Sequence, residues 1–528
     1  MKKNTTVQKM VVGSALVYAL VIMFAVSIIL SSIVGFIVSQ TKYGFHVASK
    51  QSALQISESG VYFYRWYLAH MVEGKTAKQI QDFWLTGSPL AVATPYEVEY
   101  FDPEGAAIGK YHLEVTPPVA GSTVVTVTST GWTYRYPDVK RIVRVRFRRP
   151  SWSENMVIAN DVMRFGEGTV ISGKVHSNQG IRFDGLAHNL VTSSVASYDD
   201  PDHTDTNKEF GVHTHVNIPP TTGTNNTFRS AESPTVAHPT PASRPDVFQA
   251  GRSLPVPTID FTGVLADLNV MKTEAQTGSG KYFGLTDLGQ DLILKVNDTF
   301  DSCSVKTFDA TTNDITGRAG IVTAATGSYA GTNGNACTTT SLCTSGAFTW
   351  VASNHAKGKC VVDVKNNVIP NDSVIFVDNN AWVQGKIDGK RVTIVAADLV
   401  NGSAAKNIFI GKDITYTNTD GSDIIGLIAQ NDIEIIKPSN NILTINAALL
   451  AQNGRIGRSN YGSSDIKSTI TVSGAMATSK RYGFAWTNGV SSWGYTTRNL
   501  YYDNNLLYFP PPYFPTGTQY LMDLWEEL

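Results

Sequence analysis

The sequence predicts a mainly β protein carried on a long hydrophobic N-terminal α-helix. A small antiparallel sheet follows, then a right-handed parallel β-helix (a solenoid) interrupted by a loop and helix insertion. Three observations predict this class. No Asp, Glu, Lys or Arg occurs between Lys9 and Lys42. Residues 143–148 alternate strictly between apolar side chains and arginine. A unit of short strand, amide-centred turn and short strand recurs in the second half of the 528-residue chain.

Composition narrows the classes further. Lys+Arg 43 against Asp+Glu 44 gives a net charge of −1, which argues against a chain that coats a polyanion, so no nucleic-acid partner is expected. Charged residues make up 16%, below the usual share of about 25%. Asn, Thr, Ser and Gly fill the difference, and 42% hydrophobic residues exclude global disorder. Such a composition suits an exported β protein.

Residues 1–13 form a basic leader and 14–40 a transmembrane helix. The uncharged run exceeds the about 20 residues that cross a hydrocarbon core, and also the short apolar region of a cleavable signal. Lys2, Lys3 and Lys9 precede it, which orients the N-terminus toward the cytoplasm. The lipid bilayer is therefore an expected partner, crossed once, with the N-terminus in the cytoplasm and the remainder on the far side of the membrane.

Residues 41–90 continue as helix, with Val47, Leu54, Ile56, Val61, Tyr64 and Leu68 at helical spacing and Gly60 as a weak point. The aromatic group Tyr62, Phe63, Tyr64, Trp66 and Tyr67 reads as a face packed on a sheet. The antiparallel region, 91–155, has strands expected at 96–101, 110–116, 123–129 and 140–148, separated by Pro and Gly turn signals. In the last strand Val143, Val145 and Phe147 face a core. Arg144, Arg146 and Arg148 form a solvated row, with capture of an acidic partner as the alternative.

Residues 156–194 are expected to be the first solenoid rungs and 366–480 the main β-helix. The segments starting at Val175, Ile375, Leu427 and Leu449 share the repeating unit, and starts at 375, 393, 408, 427, 449 and 470 lie about 20 residues apart. Stacked coils bury inward apolar side chains that no single coil can bury alone. Corner asparagines are expected to take the left-handed conformation and to hydrogen-bond along the stack. Residues 195–365 are an insertion, with a Pro/Thr-rich loop, a short helix at 261–276 and all four cysteines. Cys303, Cys337, Cys343 and Cys360 are candidate disulfide partners outside the cytoplasm, and their spacing suits zinc poorly. The aromatic and proline-rich 481–528 is expected to cap the last rung.

Chemical motifs are sparse. No phosphate loop, nucleophile elbow or H-E-x-x-H is present. His213 and His215 alternate, with His203 and His238 nearby, in a pattern a metal site could use; the reading adopted is polar loop residues and no metal. Residues 418–423 resemble part of a calcium loop and read as a turn. Asp378, Asp388, Asp398, Asp413 and Asp432 lie in the repeats, and nothing in their spacing makes a catalytic pair. No catalytic residue and no cofactor is expected. The class opposed to a structural protein is an anchored polysaccharide-active β-helix enzyme, a lyase or hydrolase.

The order of basic leader, Val12-Gly13-Ser14 and long apolar helix resembles the class III signal of type IV pilins. Together with "SESGVYFYRWYLAHM", "RIVRVRFRR" and "GKVHSNQGIRFDG", it is similar to PilX-like, pilin-like assembly proteins, chiefly over residues 1–190. The resemblance implies cleavage after Gly13, leaving Ser14 first, and a helix that meets other pilin-like subunits. It also implies a projecting head for pilus assembly or adhesion, with an extracellular glycan or surface molecule as ligand and no reaction of its own. Tyr18 stands where pilins usually carry Glu, which fits a minor subunit better than a major one.

Overall fold

The computed structural model describes residues 13–72, 75, 77–86, 96–119, 122–261, 268–285, 288–318, 320–323, 359–362, 365–400, 406–488, 491–517 and 519–528. It is mainly β, with a long N-terminal apolar helix and a small antiparallel sheet. Helix α1, Gly13–Val72, is continuous across the expected span and its extension, and α2, Ala77–Thr86, follows. The outer half of α1 exposes large apolar side chains from Leu16 to Val47. Three of its hydroxyl groups are satisfied within the helix: Ser27, Ser32 and Thr41 donate to the carbonyls of Met23, Ile28 and Ile37 at 2.8–2.9 Å. Those three bonds lower the cost of placing a hydroxyl on an apolar surface.

The inner half of α1 changes environment without changing conformation. Ala53, Ile56, Val61, Tyr64, Leu68 and Val72 are fully buried against the sheet. At about 1.5–3 kcal/mol for each large side chain buried, this face fixes the helix on the sheet. The aromatic group divides: Tyr64 is core, while Tyr62 and Trp66 stay exposed. The strands are β1 Tyr96–Phe101, β2 Ala107–Thr116, β3 Val124–Thr133 and β4 Tyr136–Arg148, paired antiparallel in that order. Gly60 is no weak point. It lies where an added Cβ would strike Ser129 and Tyr111, and Gly131 on β3 lies where one would strike the backbone of Ala53 and Ser57. The two glycines let helix and sheet backbones approach closely.

The arginine row on β4 is paired within the chain, with Arg144 still exposed and Arg146 and Arg148 partly buried. The chain's own C-terminal strand, Leu521–Glu527, pairs antiparallel with β4. Arg144 meets Glu526 at 2.9 Å and Arg146 meets Asp523 at 2.6 Å. Arg148 pairs with Glu154 and reaches Asp523 at 3.4 Å. The expected cap region is therefore divided. Ser492–Tyr502 joins the parallel strands, and Leu521–Glu527 returns to the small sheet. The prolines between them lie along a flat side of the strands: Pro511 covers Gly426, and Pro510 accepts from Arg391 at 2.8 Å. Proline lacks the N–H needed to extend a ladder but packs against one from the side.

Most of the remaining described strands pair in parallel, while Thr299–Asp309 pairs antiparallel with Gly289–Leu294, Asp314–Arg318 and Lys365–Val368. Ile375, Ile394, Leu427, Leu449 and Met476 are partners in successive parallel pairs, and Met476 pairs with Val157, which continues to Val175 and Val191. All eight side chains are fully buried in one core. A second run joins Ala381, Ile408, Ile433 and Ile456. A third joins Ile445, Val472, Leu500, Ile171 and Ala187. Segment 156–194 thus follows Met476 in pairing order, so the strands that come first in the chain do not begin the stack. The chain passes from Arg252–Ser253, beside Val191, to Lys281–Phe283, beside Ser373–Val377, and α3, Leu268–Thr277, lies between these two strands.

Turn asparagines act through their side chains. Asn178 donates to Asn160 at 2.8 Å and Asn431 to Asn407 at 3.0 Å, linking neighbouring strands. Among the described residues, Asn178, Asn431 and Asn453 are absent from the positive-φ positions, which are Asp298, Asn313, Asp372 and Tyr513 for non-glycines. The amide hydrogen bond, and not a left-handed backbone, explains asparagine at these turns.

Gly131→Ala is expected to destabilise the protein by about 1–3 kcal/mol, since the new methyl meets backbone that cannot rotate away. Urea denaturation followed by tryptophan fluorescence checks this.

Candidate functional site

Between Val191–Ser193 and Arg252–Ser253 the chain leaves the parallel strands and folds over them. Ser197–Asp199 pairs antiparallel with Lys208–Phe210, and Val212–His213 pairs parallel with Ile181–Phe183. These pairings gather Asp200, His203, Glu209, His213 and His215, whose side chains are all at most 1% exposed. His238 is exposed elsewhere. The expectation of polar loop histidines is therefore corrected for three of the four: the loop is folded, and they form its centre.

The geometry is compact. His213 Nε2 lies 2.9 Å from Glu209 Oε2 and 3.4 Å from Asp200 Oδ2. His215 Nε2 lies 3.3 Å from Glu209, and His203 approaches Asp200 at 3.6 Å and Glu209 at 3.7 Å. One ligand-capable atom from each of Asp200, His203, Glu209 and His215 lies within 4.8 Å of every other. The approaches to His203 and His213 are poorly aligned, so both ring nitrogens of each lack a well-formed hydrogen bond, as does Asp200 Oδ2.

An outer layer holds these groups in place. His215 Nδ1 faces the carbonyl of Asn225, and the His215 amide donates to Asp184 Oδ1 at 2.7 Å. Glu209 Oε1 accepts from the Arg229 amide at 2.8 Å, and Asp200 Oδ1 accepts from the Asp202 amide at 3.0 Å. Arg182 donates to Asp184 at 2.7 Å and lies 3.8 Å from Asp200. Burial by itself would lower the pKa of His213, but the Asp200 and Glu209 carboxylates beside it push it up to about 9. Burial would raise the two acids, and the His213 ring lodged between them instead holds Asp200 well below the usual range and Glu209 at about 2.

A cleft of about 680 Å³ lies alongside, lined in part by Asp161, Arg164, Asp184, Asp202, Arg481 and Trp486. Two of its acids are already paired, Asp184 with Arg182 and Asp202 with Arg481 at 2.6 Å. The repeat aspartates are likewise engaged. Asp378 meets Lys272 at 2.7 Å, Asp388 accepts from Asn418 at 2.9 Å, and Asp398 accepts from the Val400 amide at 3.1 Å. Asp413 and Asp432 accept from the amides of Thr444 and Arg455 at 2.9 and 2.7 Å. In the 418–423 turn Asp423 accepts from the amides of Thr417 and Asn418 at 2.8 and 2.7 Å.

Gly13 and Ser14 head α1, and the Ser14 side chain lies outside the described residues. Cys303 is a buried free thiol on the strand Thr299–Asp309. Cys337 and Cys343 lie outside the described residues. Cys360 sits on a strand opposite Val322, and its side chain is outside them too.

Asp200 and Glu209 were not singled out from the sequence. The available signal was density: three of the chain's ten histidines fall between 203 and 215, with Asp200 and Glu209 interleaved. No family model and no curated protein matches the chain. Among solved structures it is similar to the competence-associated pilin ComZ from Thermus thermophilus. Identity is 11%, the match covers 91% of this chain and 97% of that one, and the TM-score is 0.27.

Asp184→Ala is expected to cost about 3–5 kcal/mol, because it strands the buried Arg182 guanidinium and frees the His215 amide. A fall in the urea midpoint with the m-value unchanged is the readout.

Proposed function

We propose that this chain is a membrane-anchored, pilin-like structural protein that contributes to type IV pilus assembly or adhesion. The observation that supports it is the single helix α1, apolar and exposed in its outer half and buried on the small sheet in its inner half. At about −0.3 to −0.6 kcal/mol for each Leu, Ile, Phe or Val near a bilayer centre, the outer half favours lipid by several kcal/mol. The same surface can pack on the equivalent helices of other pilin-like subunits. The basic residues Lys2, Lys3 and Lys9 orient it with the N-terminus in the cytoplasm. A prepilin-type peptidase then cuts between Gly13 and Ser14.

The parallel ladders are read as faces of a right-handed β-helix projecting from the cell, with a glycan or surface molecule met by its excursions. The engaged state of the repeat aspartates favours a structural role over polysaccharide cleavage. The cleft keeps the enzyme reading testable: release of reducing ends from bacterial polysaccharides by the purified protein would support it.

N-terminal sequencing of protein recovered from the membrane and from sheared surface material tests the main reading. Ser14 as first residue is expected, and Gly13→Leu is expected to leave the leader attached. Mature protein beginning at Met1, or protein recovered in the soluble cytoplasm, overturns it.

A further inference from the structure

We propose that Asp200, His203, Glu209 and His215 bind one divalent transition-metal ion, zinc in the first place, with His213 beside them as a further donor. Donor chemistry selects the ion. Imidazole nitrogen with carboxylate oxygen suits zinc and its neighbours, whereas calcium and magnesium prefer all-oxygen shells.

Spacing supports the same choice. Zinc bonds to nitrogen and oxygen of about 2.0–2.2 Å set ligand atoms around a tetrahedron roughly 3.3–3.5 Å apart. His215 to Glu209 is 3.3 Å, and His203 lies 3.6 Å from Asp200 and 3.7 Å from Glu209. These separations are long for hydrogen bonds and close to those of ligands sharing an ion.

The unpaired atoms point inward. Both His203 nitrogens and Asp200 Oδ2 are buried without a hydrogen-bond partner, a costly arrangement for polar atoms out of reach of water. The outer layer sets the tautomer. A proton on His215 Nδ1, facing the Asn225 carbonyl, leaves the Nε2 lone pair toward Glu209. Each carboxylate has one oxygen held by a backbone amide, Asp202 for Asp200 and Arg229 for Glu209, and the other turned to the cluster. Supporting contacts of this kind are what metal ligands require. Two carboxylates also balance a dipositive ion without leaving net charge buried.

The ion would act as a staple. Its ligands come from the excursion between Ser193 and Arg252, a stretch rich in proline and polar residues whose contacts with the parallel strands include the Val212–His213 pairing with Ile181–Phe183. Metal binding would therefore hold a surface lobe in one conformation.

The test uses the full-length protein in detergent, stripped with a chelator and then titrated with Zn²⁺ alone against a chromophoric competitor. A single zinc per chain is expected by elemental analysis after dialysis. His203→Gln and His215→Gln are each expected to weaken binding at least about tenfold, while His238→Gln leaves it unchanged. Zinc is expected to raise the melting temperature of the wild type and not of the two variants. Should those variants fail to fold, Co²⁺ loaded into the wild type reads the inner shell directly, and an intense visible spectrum of low coordination is expected. Sub-stoichiometric zinc in the wild type, a pale six-coordinate cobalt spectrum, or binding lost only in His238→Gln overturns the proposal and leaves a buried histidine–carboxylate charge cluster. Neither result bears on processing at Gly13.

Discussion

Pairing of Met476–Thr478 with Val157–Ala159 is the contact on which the β body depends. It joins residues more than three hundred positions apart in the chain, and it converts two sets of parallel strands into one continuous core. Each strand end has unpaired backbone groups that need a neighbour. Separated, the set ending at Met476 and the set beginning at Val157 would each expose such an edge and an apolar face. Joined, each supplies the surface that the other lacks. The cost is a long loop closure, but closure entropy grows only with the logarithm of length, while burial grows with every side chain added.

A second long-range closure ties that body to the small sheet and α1. Leu521–Glu527 returns to β4 after the chain has traversed the parallel strands, and the charges of the two strands are complementary. Tyr520 is buried in the small-sheet core with Tyr64 and Leu68 of α1, and it accepts from Trp84 Nε1 at 3.0 Å. The helix, the small sheet and the C-terminus therefore share one core, so a pull on α1 is transmitted into both ends of the globular chain. Glycine at 60 and 131 sets how closely helix and sheet approach, and this tightness makes the joint stiff.

The histidine–carboxylate cluster obeys a different rule from the rest. Several buried charges elsewhere form simple two-residue ion pairs, as with Arg252 and Glu232 or Arg458 and Asp465. At Asp200, His203, Glu209 and His213 they crowd together with good burial and poor hydrogen-bond alignment. A fold relieves such crowding by proton sharing or by an ion. The two carboxylates beside His213 favour its charged form, and His213 in turn favours theirs.

The sequence by itself determined whatever depends on near neighbours. The absence of charge from Lys9 to Lys42 specified the exposed half of α1, and the alternation at 143–148 specified which face of β4 is buried. The residues flanking the amide turns specified the strands that carry Val175, Leu427 and Leu449, because inward and outward positions repeat locally. Tertiary structure alone decided what covers each surface: a C-terminal strand over the arginine row, prolines along the side of the ladder, and Val157 stacked on Met476. Tertiary structure also decided that His203, His213 and His215 meet Asp200 and Glu209 in a dry centre. Periodicity records how a segment presents its side chains, whereas which segments meet depends on closing long loops, and a local pattern contains no term for that.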